Sequence, residues 1–453
     1  MTSRITSSMF SSEDMLNVFS DEATVQRMLD VEAALARAEA QQGVIPASAV
    51  AAIVGCCDAA LIDMSSLMKA ARPAGNLAIP LVRQLTDLVA ARDAEAAKYV
   101  HWGATSQDII DTGMVLQLRE ALRLIDADLG RLAGALADLA GQHRHTQMAG
   151  RTWMQHALPI TFGLKVAGWL DALLRHRERL DGLRGRALAL QFGGAAGTLA
   201  SLGDKGLPVA AELARDLALA LPDTPWHAHG DRFAEVACAM GLLTGTLGKV
   251  ARDISLLMQT DVAEVSEPIA AGRGGSSTMP HKRNPVGCAV ALTAASRVPA
   301  LVSTMLSAMV QEHERALGGW QAQWDTLPEI MRLAAGALEQ MHGVAAGLTV
   351  DAARMQRNLE ATRGLLMAEA VTLALGGSLG RMQAHQLMER ACNQASSTGM
   401  HLRDVLKNDT AVRAALSDAD IDRLLDPAGY TGEAESFIER VLHTHREREA
   451  GKH

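Results

Sequence analysis

The sequence predicts an all-α protein. Aromatic residues make up only 3% of the chain, and runs of β-branched or aromatic residues, which favour strands, are missing from it. Alanine, leucine and methionine, which are strong helix formers, abound. One long segment also carries a heptad repeat of apolar residues, which is typical of long packed helices. With 453 residues the chain is long enough for two or three domains.

The longest predicted helix covers residues 112–143. Its apolar residues recur at alternating steps of four and three, at Leu118, Leu122, Ile125, Leu129, Leu132, Leu136 and Leu139. Further apolar-periodic helices are predicted at 160–190, 233–264, 286–312 and about 326–348. One such helix cannot bury its apolar stripe alone. We therefore expect an extended bundle whose surplus apolar surface is covered by partner subunits.

Three domains are predicted from the change in helix length along the chain. Residues 1–110 mix short helices with loops and form a smaller N-terminal helical domain. Residues 111–350 form the central bundle of long helices, and residues 351–453 form a small C-terminal helical domain. Within the first domain, "SSEDM" and "SDEATV" have the serine and acidic residues of helix N-caps.

The charge and cysteine content exclude several classes of partner. A net charge of −8 leaves no broad basic face for nucleic acid or an anionic membrane. Five scattered cysteines, and an N-terminus without the apolar core of a signal peptide, indicate the cytoplasm. The most membrane-like stretch, 286–310, contains Arg297 and Pro299 and is predicted to be a buried bundle helix.

Three polar clusters interrupt the helical pattern. They read "HWGATSQDIIDT" at 101–112, "GRTWMQHALPITFG" at 150–163 and "GGSSTMPHKRNP" at 274–285. Each lies at or near the end of a predicted long helix, where unpaired backbone groups can be capped or can bind an anion. Hydroxyl side chains in one cluster are ordinary helix caps. Three clusters rich in Thr, Ser, Gln and His favour a binding site.

The third cluster has the clearest chemical logic. A serine hydroxyl such as that of Ser276 is a poor base until its anion is stabilised, and Lys282 with nearby backbone N–H groups can do so. Lys282 and Asn284 can also stabilise a carboxylate that gains charge in an enolate-like intermediate. The phosphate-binding pattern G-x-x-x-x-G-K-[ST] is absent.

"GSSTMPHKRNP" resembles the signature loop of the fumarase/aspartase superfamily, G-S-S-x-M-P-x-K-x-N-P, at every fixed position. The segments at 101–112 and 150–163 resemble the two other blocks of that family, in the same order. "DPAGYTGEAESFIERVL" resembles the C-terminal end of its adenylosuccinate lyase-like branch. The resemblance implies a three-domain, fumarase/aspartase-like all-α fold and a homotetramer whose active sites are shared between subunits. It implies a small polycarboxylate substrate.

The resemblance also implies roles for individual residues. Ser276 matches the catalytic serine that handles the proton next to a carboxylate, and Lys282 and Asn284 match the residues that stabilise the aci-carboxylate. The predicted substrate-binding positions are His101, Thr105, Ser106, Thr152, Trp153, Gln155, His156 and, more weakly, Arg315. No cofactor and no metal are implied.

One position departs from the family pattern. Where the lyases usually have R-T-H, this chain has Arg151, Thr152 and Trp153. Expelling an amine or hydroxide requires an acid such as that histidine, whereas a carboxylate, whose acid has a pKa of about 4, leaves unaided. A reaction in which a carboxylate adds to or leaves a double bond can therefore do without that histidine. "GRTWMQHALPITFG", "AGNLAIPLV" and the length resemble the lactonising branch of the family. This resemblance implies lactonisation of 3-carboxy-cis,cis-muconate, in which a substrate carboxylate adds to an alkene carbon.

Two other functions stay open at the level of the sequence. A β-eliminating lyase, such as an adenylosuccinate lyase, would require His101 or His156 to replace the missing acid. A non-catalytic structural protein would not require the intact Ser276, Lys282 and Asn284.

The remaining histidines and tryptophans favour ordinary packing. "HRH" at 143–145 and "HAH" at 227–229 lack a third ligand at metal-binding spacing. Trp320 and Trp324, four residues apart, favour core packing, with a flat apolar pocket as the alternative.

Overall fold

The computed structural model describes residues 4–268, 274–275, 278–279 and 281–451. Helices dominate this part of the chain, as the composition predicts. The α-helices are α1 Arg4–Phe10, α2 Glu13–Val18, α3 Asp21–Gln41, α4 Ala47–Val54, α5 Met64–Ala74, α6 Ala78–Arg92, α7 Ser106–Gln142, α8 Phe162–Ala187, α9 Gly206–Asp216, α10 Asp231–Leu257, α11 Val286–Ser307, α12 Gly319–Ala346, α13 Ala352–Glu360, α14 Ala368–Leu379, α15 Arg381–Thr398, α16 Leu402–Asn408, α17 Thr410–Ala415, α18 Asp418–Leu424 and α19 Ala434–Glu449.

The five long predicted helices correspond to α7, α8, α10, α11 and α12. The longest, α7, has 37 residues and is about 55 Å long at 1.5 Å per residue. All seven residues of its heptad seam are buried, with at most 7% of the surface of any one exposed. The seam is therefore core, as its spacing predicts. Helix α10 ends at Leu257, seven residues before the predicted end.

The N-caps predicted near the start of the chain are confirmed. The hydroxyl oxygen of Ser12 accepts a hydrogen bond from the backbone N–H of Met15 at the start of α2. The hydroxyl of Ser20 accepts one from the N–H of Ala23 at the start of α3. Each hydroxyl satisfies a donor that lacks a partner within the helix.

Four short strands accompany the helices and were not predicted. Strands β1 (Gln147–Thr152) and β2 (Gln155–Thr161) form an antiparallel hairpin, with a register irregularity between Ala149 and Arg151. Strands β3 (Val265–Ser266) and β4 (Thr349–Val350) form a second antiparallel pair. The first hairpin holds most of the second polar block and leads directly into α8.

The described chain divides into two compact units. The first contains residues 1–129, 175–248 and 290–339, and the second contains 130–174, 249–289 and 340–453. The boundaries fall inside all five long helices. In the second unit the short C-terminal helices share a core that includes Leu359, Val371, Leu387, Leu406 and Ile421. The three-domain division at residues 110 and 350 stays a prediction.

Two of the described helices, α10 and α11, are long and apolar enough to cross a membrane by length and composition alone. Within their most apolar windows, 56% of α10 and 33% of α11 is buried in the chain. In α11, however, Arg297 donates a hydrogen bond of 2.7 Å to Glu329 of α12. This ion pair within one unit is typical of a helix in a protein bundle.

Candidate active site

The first polar block forms the loop and first turn that open α7. Helix α7 begins at Ser106, directly after Thr105, and both residues are partly buried. The backbone N–H of Thr105 donates a hydrogen bond of 3.0 Å to the Oδ2 of Asp108. The hydroxyl groups of Thr105 and Ser106 therefore lie at a helix N-terminus, where free N–H groups and the helix dipole favour an anion.

Asp108 is the buried centre of this block. Its side chain is fully buried, and its two oxygens accept hydrogen bonds of 2.9 Å from the N–H groups of Gly193 and Gly194. The Nε2 of His227, which is also buried, lies 2.7 Å from its Oδ1. Four partners, counting the N–H of Thr105, surround one carboxylate. A buried charge with this many partners fixes the loops that supply them.

The glycines of this network are required by space and conformation. A Cβ atom on Gly193 would lie 2.7 Å from Pro225 and 2.9 Å from the ring of His227. Gly194 has a φ of 70°, in the left-handed region that side chains disfavour. Side chains at either position would push the backbone away from Asp108.

Arg315, the weakest match in the sequence, joins the same network. Its Nη2 donates to the carbonyl of Ala195 at 3.0 Å and to that of Gly194 at 3.4 Å. Its Nε is buried without a hydrogen-bond partner in the described part of the chain. Arg315 therefore binds the glycine loop, residues 193–195. Two backbone N–H groups of this loop and that of Thr105 all donate to Asp108.

His101 is held by a buried carboxylate on α3. Its Nδ1 lies 2.6 Å from the Oε1 of Glu32, whose side chain is 1% exposed. Burial lowers the pKa of His101, but the charge and hydrogen bond of Glu32 raise it by more, so the net shift is upward. His101 therefore retains a proton more readily than a free histidine does.

A second buried acid lies further along α3. Glu39 is 1% exposed, and neither of its carboxyl oxygens has a hydrogen-bond partner among the residues described. Burial, and then the nearby charge of Glu32, raise the pKa of Glu39 to about 9. Its carboxyl group is therefore neutral at pH 7, which is how an unpaired acid is tolerated in a core.

The second polar block forms the tip of the β1–β2 hairpin. Thr152 pairs with Gln155, leaving Trp153 and Met154 as a two-residue turn. Both turn residues have positive φ, of 50° and 64°, as a type I′ turn requires. Asparagine and glycine are the usual residues there. Trp153 is 98% exposed, so this chain alone provides no packing for it.

The other residues of this block are also open. Thr152 and Gln155 are exposed, and His156 is partly buried with its Nδ1 lacking a hydrogen-bond partner in the described residues. Burial, and then the positive charge of Arg151, lower the pKa of His156. His156 is therefore a neutral imidazole at pH 7. Its free ring nitrogen can accept or donate according to tautomer.

A buried ion pair anchors the base of the hairpin. Arg151 donates two hydrogen bonds, of 2.9 and 2.7 Å, to the fully buried carboxylate of Glu264. Asn358 donates a third bond of 2.7 Å to the same carboxylate. A two-point guanidinium–carboxylate pair fixes orientation as well as distance. The hairpin is thus rigid at its base and exposed at its tip.

The third block is partly described. Ser276 lies outside the described residues. The N–H of Asn284 donates a hydrogen bond of 2.9 Å to the carbonyl of Gly274. A Cβ atom on Gly274 would lie 2.9 Å from the carbonyl oxygen of Asn284. Lys282 is exposed, and its N–H donates to the carbonyl of Met279 at 3.0 Å.

A carboxylate holds the end of this loop on α11. The oxygens of Glu267 accept hydrogen bonds of 3.0 and 2.9 Å from the N–H groups of Gly287 and Cys288, in the first turn of the helix. Glu267 is 6% exposed. The predicted site residues therefore divide between the two units. The first holds His101, Thr105, Ser106 and Arg315, and the second holds Thr152, Trp153, Gln155, His156, Lys282 and Asn284.

Comparison with known families agrees with the motifs on which this geometry depends. Residues 9–300 match the lyase family, and residues 364–441 match the family described as the adenylosuccinate lyase C-terminus. The chain belongs to the lyase family. The superfamily predicted from the sequence is confirmed, and the all-α fold is that of its solved members.

Several lyase-family proteins resemble this chain over nearly its whole length. A 3-carboxy-cis,cis-muconate cycloisomerase from Pseudomonas aeruginosa is 58% identical over 96% of this chain and 95% of that protein. One from Bradyrhizobium diazoefficiens is 56% identical over 96% of both. The crystal structure of a 3-carboxy-cis,cis-muconate lactonizing enzyme from Pseudomonas putida superposes with a TM-score of 0.94 at 53% identity, covering 98% of this chain and 99% of that one.

Proposed function

We propose that this chain catalyses the lactonisation of 3-carboxy-cis,cis-muconate. Similarity over the full length to proteins named for that reaction supports the proposal. The structural observation that carries it is the hairpin tip, where Trp153 and Met154, neither of which titrates, occupy the turn. The family usually places a histidine acid at the position of Trp153. A reaction that forms or breaks a bond to a carboxylate does not require that acid.

The chemistry assigns a role to each part of the site. One substrate carboxylate, already ionised at neutral pH, attacks an alkene carbon and forms the lactone C–O bond. The electron pair of the alkene moves toward a second carboxylate, which becomes an aci-carboxylate. Lys282 and Asn284 stabilise that added negative charge. Ser276 then delivers a proton to the neighbouring carbon, and Lys282 stabilises the resulting serine anion.

The first block binds substrate carboxylates. Thr105 and Ser106 offer hydroxyl groups at the N-terminus of α7, where an anion is favoured. His101, held by Glu32, has a raised pKa and therefore retains a proton more readily than a free histidine. Arg315 contributes its guanidinium beside the same glycine loop. A polycarboxylate thus meets fixed donors, and the net charge of the chain, −8, does not prevent binding because these donors are local.

The second block shapes the pocket. Trp153 lays an apolar face against the diene and excludes water that would compete with the internal carboxylate. Thr152, Gln155 and His156 supply hydrogen bonds around it. No step of this reaction requires a metal or an organic cofactor, because the nucleophile is ionised and the proton comes from Ser276.

We also propose a homotetramer with shared sites. Trp153 is 98% exposed in the single chain, and only 33% of the most apolar window of α11 is buried. Four chains of 48.0 kDa give a particle of about 190 kDa in light scattering. All five cysteines are free thiols in the structure, which supports an enzyme of the cytoplasm. A stable monomer at micromolar concentration would contradict the shared sites.

The test is ultraviolet loss of the conjugated diene when carboxymuconate is added. The parent protein should consume the diene, and Ser276→Ala should lower turnover about a hundredfold or more, the range of a lost general acid. Ser397→Ala, an exposed serine on α15, is the matched control and should retain full turnover. A parent that leaves the diene intact but cleaves adenylosuccinate would instead establish the β-eliminating lyase.

A further inference from the structure

His101 has a backbone conformation that requires support from the surrounding structure. Its φ is 59°, in the left-handed region that residues other than glycine adopt only uncommonly. Gly103, two residues later, has a φ of 73°, and a Cβ atom there would lie 2.6 Å from the side chain of Leu202. Such conformations persist where neighbouring groups determine them, and they cluster at functional sites. The position of His101 is therefore fixed from outside its own turn.

A buried carboxylate determines the orientation of the His101 ring. The Nδ1 lies 2.6 Å from the Oε1 of Glu32, and the side chain of Glu32 is 1% exposed whereas that of His101 is 19% exposed. Because an ionised carboxylate only accepts hydrogen bonds, the Nδ1 carries the proton of this contact. The ring edge with Nε2 then points away from Glu32. The described residues offer Nε2 no hydrogen-bond partner.

Glu32 belongs to a closely packed part of the first unit. Met28 and Ala36, one turn away on either side along α3, are 2% and 3% exposed. Helix α3 also packs on α7, since a Cβ atom on Gly113 of α7 would lie 3.1 Å from the side chain of Met28. The carboxylate that orients His101 thus lies on a helix packed against the one whose start holds Thr105.

The two buried acids of α3 differ in charge. Burial, and then the charge of Glu32, raise the pKa of Glu39 to about 9, so Glu39 is neutral at pH 7. The charged groups that act on His101 are Glu32 on α3 and Asp108 on α7. Burial lowers the pKa of His101, and these two carboxylates raise it by more. Glu32, and not Glu39, therefore provides the negative charge in contact with the ring.

We propose that Glu32 is a positioning residue for the proposed reaction, orienting His101 so that its Nε2–H faces a substrate carboxylate and keeping the imidazole charged. Glu32 itself is buried and acts only through His101. The proposal rests on the proposed function, because its ligand is the polycarboxylate of that reaction. A charge-assisted hydrogen bond is stronger than a neutral one. Since His101 transfers no proton in the lactonisation, loss of Glu32 should weaken substrate binding more than it slows the chemical step.

The first test compares Glu32→Gln with Glu39→Gln at pH 7. The glutamine at position 32 retains the size and an acceptor for Nδ1 but removes the charge. The KM for carboxymuconate should rise about tenfold, and kcat should change by less than about threefold. Glu39→Gln replaces a neutral acid of the same helix with a neutral amide of the same shape. It is the matched control and should retain the KM of the parent within about twofold.

The effect of Glu32→Gln should also depend on pH. In this variant the burial of His101 is opposed only by the charge of Asp108, so the pKa of His101 is lower than in the parent. The KM should therefore return toward the parent value as the pH falls from 7 to about 5.5, where His101 takes up a proton. A merely structural defect would raise the KM equally at both pH values.

A double-mutant cycle tests whether Glu32 acts through His101. In a chain that carries His101→Asn, the further change Glu32→Gln should alter the KM by less than about twofold, because the group that Glu32 positions is gone. A tenfold effect that persists in that background would overturn the proposal.

Calorimetric titration with propane-1,2,3-tricarboxylate repeats the comparison without turnover. The parent and Glu39→Gln should bind this tricarboxylate equally, and Glu32→Gln should bind it about tenfold more weakly. A parent that binds the tricarboxylate but leaves the diene of carboxymuconate intact would contradict the lactonisation and not the role of Glu32. Absence of binding to the parent, or equal affinity in Glu32→Gln, would overturn that role.

Discussion

The first block and the hairpin tip hold their predicted site residues in opposite ways. At the first block, the buried carboxylate of Asp108 takes four partners and fixes the loops around Thr105. At the tip, Trp153 is 98% exposed in a turn whose two residues have positive φ. One region is completed by its own chain. The other is rigid only at its base, where Arg151 binds Glu264.

This difference indicates two ways of building a site. Asp108 organises donors before any ligand arrives, so the cost of ordering them is met during folding. Trp153 and Met154 retain a strained turn and an unpacked indole, neither of which stabilises the single chain. Such strain persists where function requires it. The tip is therefore expected to gain its contacts only from substrate and from another subunit.

The largest expected effect is at Asp108. Asp108→Asn removes the carboxylate that faces His227 and places an amide N–H against the N–H of either Gly193 or Gly194, which bind different oxygens. A buried donor that loses its acceptor costs about 1–3 kcal/mol, and more where the acceptor was charged. The free energy of unfolding, from urea titration, should fall by that amount, and carboxymuconate turnover should fall with it. A variant as stable as the parent would show that the block is not organised by Asp108.

A smaller effect is expected at the hairpin tip. A substitution there should weaken substrate binding and leave the free energy of unfolding nearly unchanged. Trp153→Ala should weaken binding of carboxymuconate by about 2 kcal/mol, the cost of removing a packed aromatic anchor. Trp153→Phe should retain most of the binding because it retains a flat apolar face. KM and urea unfolding are measured on both variants. If Trp153→Ala destabilised the chain as much as Asp108→Asn does, the comparison would be wrong.

The first block should also depend on pH. The pKa of His101 is raised in the folded chain, so its pairing with Glu32 stabilises the fold fully below the unfolded pKa of about 6.5. That contribution is lost as pH rises through the raised pKa. Glu32→Gln should therefore be less stable than the parent by about 1.5 kcal/mol at pH 5.5, with a gap that narrows at alkaline pH. If the difference in free energy of unfolding between the parent and Glu32→Gln grew with rising pH, this pairing would be contradicted.

The smallest effect is a gain in stability. Met154 has a φ of 64°, and the left-handed conformation costs a residue with a side chain about 1–2 kcal/mol. Met154→Gly should therefore raise the free energy of unfolding by about 1 kcal/mol. Because glycine also loosens the position of Trp153, turnover should fall. A variant with lower stability would show that the turn is not strained.

Much of the fold follows from local sequence patterns. The heptad seam on α7 and the serine caps of α2 and α3 are encoded within a few residues, so the helices were predictable. The β1–β2 hairpin was not, because its turn has neither asparagine nor glycine and its flanks are short. The termini of α10 and the second strand pair likewise depend on tertiary contacts.

The site divides in the same way. Motifs predict site residues in the three blocks, because each block is continuous in the chain. Their partners were not predictable, since they lie far away in sequence. Gly193 is 85 residues from Asp108, His227 is 119 residues from it, and Glu264 is 113 residues from Arg151. The adjacent glycines at 193–194 and the "HAH" segment were the only local signals.

The central claim is that the hairpin tip shapes the pocket and moves no proton. The most direct test is the rate of lactonisation across pH 5–9 for the parent and for Trp153→His, which restores the histidine usual in the family. We expect no acceleration and no new ionisation in the profile, because the attacking carboxylate is already charged. A faster variant with a new pKa near 6.5 would contradict the claim and favour the β-eliminating lyase.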